Sequence, residues 1–68
     1  MSVSDLDVWR SANELIKKHG GEAANFAAIR ADALLDQGDV QGHAVWVRII
    51  NAIDDLQRTQ KKPGERMQ

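Results

Sequence analysis

Two histidines and two pairs of aspartates are the residues of this chain that could do chemistry. His19 and His43 could serve as general bases or metal ligands, and Asp32 and Asp36, four residues apart on a helix, could hold a divalent cation. Two lone histidines make no metal site without acids placed near them, and the chain has no cysteine. We interpret His19 as a cap at a helix end and His43 as a residue at the edge of an apolar face. The aspartates fit a solvated surface, so the sequence predicts no metal and no cofactor.

Catalysis would need a cleft or a nucleophile beside a base, and the sequence indicates neither. Asp54 and Asp55 point to different sides of a helix, with Arg58 at the spacing of surface ion pairs. Acid–base pairs need a cleft that shifts their pKa values. The serines and the one threonine have no histidine at a spacing that implies a triad. We therefore predict that the protein is not an enzyme.

Residues 39–60 form the stretch around which the chain is organised. On a helical wheel their apolar side chains fill an arc of about 160°, which is wider than a single contact seam. The residues of this arc are Val45, Trp46, Ile49, Ile50, Ala52, Ile53 and Leu56. The pattern predicts a long helix over residues 40–60 that packs against two neighbours and keeps apolar surface to spare.

Two shorter helices are predicted before it, over residues 5–18 and 22–37, which makes an all-α, three-helix chain. Ser4 is placed to cap the first helix, and the glycines at positions 20 and 21 end it. The second helix has a face of alanines and a separate stripe of Phe26, Ile29 and Ala33, so we expect it to be buried between two neighbours. The predicted core consists of Trp9, Ala12, Ile16, Ala27, Ala31, Leu35, Trp46, Ile49, Ile50 and Ile53.

Self-association is expected because a chain this short buries only about 60% of its unfolded surface and has no disulfide to support it. We predict a helical homodimer built from a single domain over residues 1–60, followed by a disordered polar tail over 61–68. A helix is expected to cross at Gly42, where leucine would then cost about 1–3 kcal/mol. The interface candidates are Phe26, Ile29, Gly42, Val45, Trp46, Ile49, Ile53 and Leu56.

The charges and the N-terminus bear on location and partners. The formal net charge is −1, with an acidic first part and a basic second part. The N-terminus lacks the features of a signal peptide, and no apolar run approaches the ~18 residues of a membrane span, so we predict a cytoplasmic protein that does not enter membranes. A helix-turn-helix interpretation would place Asp54 and Asp55 on the outward side of a recognition helix, which argues against nucleic-acid binding.

A further pattern extends over residues 6–58. Its positions are Trp9, Leu15-Ile16, His19-Gly20, Arg30-Ala31-Asp32, Leu35, Gly38-Asp39, Gly42 and Trp46. With these residues the chain resembles a family of short bacterial proteins known only as a domain of unknown function, which implies an α-helical cytoplasmic protein and no particular activity. Gly38-Asp39 followed by Ala44 is also similar to the mid-repeat turn of a tetratricopeptide unit. His43 stands where that unit has its alanine, and the chain has room for one unit where stacking needs about three.

Three functional hypotheses follow from the sequence. The favoured one is a non-enzymatic protein–protein interaction module that acts as a small helical dimer. The alternative is a small regulatory protein that associates with nucleic acid through the basic C-terminal end, which carries Arg58, Lys61, Lys62 and Arg66. A third hypothesis is a carrier of a small apolar ligand in a gap beneath the alanine face of the second helix.

Overall fold

The computed structural model describes residues 4–60, and their regular structure is helical throughout, which confirms the all-α class. Helix α1 spans Asp5–His19, a 3-10 turn spans Gly20–Glu22, α2 spans Ala23–Asp36, and α3 spans Val40–Gln60. Helix α1 therefore leads into α2 through this 3-10 turn alone, and Gly20 at the start of the turn has a non-helical φ of +56°. The predicted tail at 61–68 lies outside the described residues. Within residues 4–60, no helix is both long enough and apolar enough to cross a membrane.

The helix ends follow from local chemistry that the sequence predicts. The Ser4 hydroxyl oxygen accepts a hydrogen bond from the Asp7 N–H at 3.2 Å and caps α1. Gly38 ends α2 with a φ of +83°. Its N–H donates to the carbonyl oxygen of Leu35, and the N–H of Asp39 donates to the carbonyl oxygen of Leu34. These are the two hydrogen bonds of a Schellman motif. The chain then turns at once into α3, so α2 and α3 form a tight helical hairpin.

Helix α3 is the central element, because it packs against both α1 and α2, and more extensively against α2. Much of the core is alanine, so the helix backbones can approach closely at these positions, as the alanine face of α2 predicts. The buried residues are Val8, Ala12, Ala23, Ala27, Ala31, Ile49, Ala52 and Ile53. The predicted two-sided packing of α3 therefore uses its apolar arc inside the chain.

Two residues of the predicted core are exposed instead. Trp9 lies on the flank of α1, whose contact with the core is made by Val8 and Ala12. Leu35 is exposed near the end of α2, because α1 packs only slightly against α2 and leaves that flank uncovered. Three further predicted core residues are partly buried and pack against the core cluster, namely Ile16, Trp46 and Ile50.

The expectation that α2 is buried on two faces is wrong. Its alanine face is covered, but Ile29 on the opposite stripe is 62% exposed and Phe26 is 39% exposed. The physical reason is that α1 covers α3 rather than the far side of α2. Apolar surface is therefore left uncovered on α2, whereas the wide arc of α3 is largely covered.

Candidate protein-binding surface

Three of the exposed apolar residues of α2 form a narrow line, which we call the α2 stripe: Phe26, Ile29 and Ala33. All three are exposed, and they recur at intervals of three and four residues. Glu22 and Asp36 continue the same spacing beyond the two ends of the stripe. This spacing is that of a helix seam that packs against another helix.

Phe26 is held in place by aromatic neighbours from two other elements. The ring of His19, the last residue of α1, stacks on Phe26 with centroids 4.5 Å apart and planes inclined by 15°. Trp46 of α3 meets Phe26 edge-on at 6.4 Å, within the range in which aromatic pairs are favourable. His19 is the last residue of α1, the position that its interpretation as a cap requires. The stacking on Phe26 could not be predicted from the sequence, because the two residues belong to different helices. The result is an exposed aromatic ring with a fixed position.

The charges around the α2 stripe are mainly acidic. Glu22, which directly precedes α2, is exposed, as are Asp32 and Asp36 on α2 and one base, Arg30. Within residues 4–58, none of these four side chains takes part in an ion pair. The α2 stripe therefore has an acid at each end and uncompensated negative charge beside it.

A second line of exposed apolar residues lies on α3, and we call it the α3 stripe: Val40, Ala44 and Val47. Val40 is 65% exposed, and the other two residues are also exposed. The intervals are four and three residues, again those of a helix seam. The stripe lies on the side of α3 away from the core residues Ile49 and Ile53.

The predicted interface candidates are placed in three different environments. Ile49 and Ile53 are buried in the core of this chain, so they have no surface to offer a partner. Phe26 and Ile29 are exposed on the α2 stripe. The remaining candidates are half-buried, namely Gly42, Val45, Trp46 and Leu56.

The nearest neighbour of Gly42 is the side chain of Asp39 at the start of the same helix, where the sequence predicts a crossing helix. The three heavy atoms nearest to a Cβ placed on Gly42 all belong to Asp39, with the carboxylate Oδ2 at 2.5 Å. Asp39 is the residue that caps α3, and its Oδ1 accepts a hydrogen bond from the Gly42 N–H at 2.8 Å. Glycine at this position gives the capping carboxylate room.

His43 joins α3 to α2 rather than forming part of a reactive group. Its Nδ1 lies 2.9 Å from the backbone carbonyl oxygen of Ala31. A carbonyl oxygen can only accept, so Nδ1 must carry the hydrogen in this bond. The position of His43 at the edge of the apolar arc agrees with the prediction, but its partner on α2 could not be seen from sequence spacing.

An open groove of about 190 Å³ lies between α1 and α3, with Trp9 on one side. Asp5 and Arg48 form an ion pair at 2.5 Å across it, and Arg58 pairs with both Asp54 and Asp55, as the spacing predicts. Residues 4–58 contain no group of histidines and acids that could hold a metal ion. Of the bases in the nucleic-acid hypothesis, Arg58 is paired in this way, and Lys61, Lys62 and Arg66 lie outside the described residues.

The alanine face of α2 is packed rather than open. Ala23 and Ala27 belong to the same core cluster as Ile49 and Ile53. The predicted ligand gap beneath this face is therefore filled by protein side chains.

In comparisons with known proteins, no family model, no curated protein and no solved structure matches this chain.

Proposed function

We propose that this chain is a non-enzymatic protein–protein interaction module that binds its partner through the α2 stripe. The observation that carries this proposal is the exposure of Ile29 at 62% beside Phe26, whose ring is fixed by His19 and Trp46. Fixed aromatic and aliphatic side chains lose little conformational freedom on binding, which makes them suitable anchors. The exposed apolar residues of this surface recur at helix-seam spacing, whereas single apolar residues scattered over a protein surface are ordinary and indicate no binding site.

We also propose that two copies pair through the α3 stripe, which gives a small helical dimer. Val40 and Val47 flank Ala44, whose small side chain allows two helices to approach closely. An antiparallel pair centred on Ala44 places Val40 of each copy near Val47 of the other. The dimer supplies buried apolar area that a chain of this size lacks alone.

The solution mass tests the dimer. We expect light scattering at micromolar concentration to give twice the chain mass of 7.6 kDa. Ala44→Glu places a charge at the centre of the pairing surface and is expected to give the mass of one chain. Asn13→Glu adds a similar charge at an exposed position of α1 and serves as the matched control. A single-chain mass for the wild type contradicts the dimer.

Recovery of partners from the protein's own cells tests the binding function. Ile29→Asp is expected to lose the partner protein that the tagged wild type retains. Leu6→Asp is the matched control, because Leu6 is also 62% exposed but lies on α1. Both variants should keep the wild-type circular dichroism spectrum, since neither side chain is part of the core. A partner retained equally by both variants contradicts the assignment to the α2 stripe.

A further inference from the structure

We infer that the partner segment bound by the α2 stripe is a basic amphipathic helix of another protein. This inference rests on the proposed function and names the chemistry of its partner. Two features of the stripe carry it: the spacing of its apolar residues, which selects a helix, and the charges around it, which select a basic one.

The spacing selects one helix as the occupant. Glu22, Phe26, Ile29, Ala33 and Asp36 follow intervals of four, three, four and three residues. Such a line lies along one side of a helix and faces a single neighbouring helix. It extends over about 21 Å, which corresponds to roughly four helical turns of a partner.

The three side chains of the α2 stripe differ in size, and each would make a different contact with such a helix. Ile29 lies at the centre and is more exposed than Phe26, so it can enter a hole between four side chains of the partner. Phe26 presents a ring already fixed by His19 and Trp46. Ala33 is small and lets the partner backbone come close at that end.

The charges select a helix with cations near the ends of its apolar line. Glu22 and Asp36 are exposed at the two ends of the stripe, and Asp32 lies beside it without an ion pair within the described residues. Arg30 is the single base on this part of α2. Lysine or arginine on the partner would meet all three acids, whereas glutamate would be repelled by them.

The same charges disfavour a second copy on this stripe. An antiparallel pair of α2 helices centred on Ile29 would place Glu22 opposite Asp36 of the other copy, at both ends. A parallel pair would place each acid opposite its own equivalent. Like charges in direct opposition are unfavourable in either arrangement, which leaves the α2 stripe for a different chain.

A display library of amphipathic helices tests this inference with the full-length protein. Each peptide has about 16 residues with fixed apolar residues at seam spacing, and its flanking positions vary among lysine, glutamine and glutamate. Selection on the wild type is expected to enrich lysine at least tenfold over glutamate. The same selection on Ile29→Asp should enrich no sequence, while Leu6→Asp should behave as the wild type.

A charge-reversed variant, Glu22→Lys with Asp36→Lys, completes the test. On this variant we expect the selection to enrich glutamate in place of lysine. Enrichment without a preference for lysine, or no enrichment on the wild type, overturns the inference. A wild-type dimer that Ile29→Asp converts to single chains would also overturn it, because a second copy would then cover the stripe. If cells still yield a partner that depends on Ile29, failure of the library leaves the proposed function standing.

Discussion

Asp39 and Gly42 form a coupled pair at the start of α3. The carboxylate of Asp39 accepts from the Gly42 N–H, and a Cβ at position 42 would come within 2.5 Å of it. Alanine at position 42 gains about 1 kcal/mol of helix propensity but displaces a cap that is worth about 1 kcal/mol. We expect Gly42→Ala to leave the free energy of unfolding nearly unchanged in the wild type.

In the Asp39→Ala background, Gly42→Ala is expected to gain about 1 kcal/mol, because no cap remains to be displaced. Urea denaturation of the two single variants and the double variant gives the coupling between the positions. Equal effects of Gly42→Ala in both backgrounds would contradict this account. Gly42→Leu, for which the sequence alone suggests overpacking, is expected to displace the same cap.

Single residues show where sequence reasoning succeeds and where it stops. The capping roles of Ser4 and Asp39 were predictable because each depends on groups within three residues along the chain. The contacts of His43 with Ala31 and of Phe26 with Trp46 join different helices, and their geometry depends on how α2 lies against α3. Spacing along one helix carries no information about such contacts.

At the scale of the elements, the turn between α1 and α2 depends on one of its two glycines. Gly20 has a φ of +56°, which residues other than glycine rarely adopt. Its carbonyl oxygen accepts a hydrogen bond from Gln57 Nε2 at 2.9 Å. Gly21 has no positive φ, and no atom lies within 4 Å of a Cβ placed there. We expect Gly20→Ala to lower the free energy of unfolding by about 1–2 kcal/mol.

Gly21→Ala is the matched control for this turn and is expected to leave stability unchanged or to raise it by up to about 1 kcal/mol, because alanine restricts the unfolded chain. Urea denaturation of the two variants gives both values. Equal destabilisation by the two alanines would show that the turn needs both glycines.

The elements were predictable from the sequence, but the distribution of exposed surface was not. The helix ends were close to the prediction because glycines and caps mark them. The wheel of α2 showed two apolar faces correctly, yet it could not show that α1 would pack on α3 and leave Ile29 exposed. Which face of a helix is covered depends on the relative placement of three elements, and periodicity is a property of each element alone.

The whole molecule is small in its core as well as in its length. Five of the eight buried apolar residues within the described chain are alanines, and Ile53 is the largest side chain that is fully buried. Burial of apolar surface contributes about 25 cal/mol per Å², so alanines contribute little each. The free chain should therefore be marginally stable, and pairing through the α3 stripe should raise its stability.

The proposed dimer would make stability depend on concentration, because its folded state contains two chains and its unfolded state one. We expect Tm to rise by a few degrees for each tenfold increase in chain concentration, since a tenfold change corresponds to about 1.4 kcal/mol per dimer. Ala44→Glu should melt at a lower temperature that is independent of concentration, while Asn13→Glu should follow the wild type. Differential scanning calorimetry over two decades of concentration gives these values. A wild-type Tm that stays constant over this range would show that the alanine-rich core is sufficient for a stable single chain.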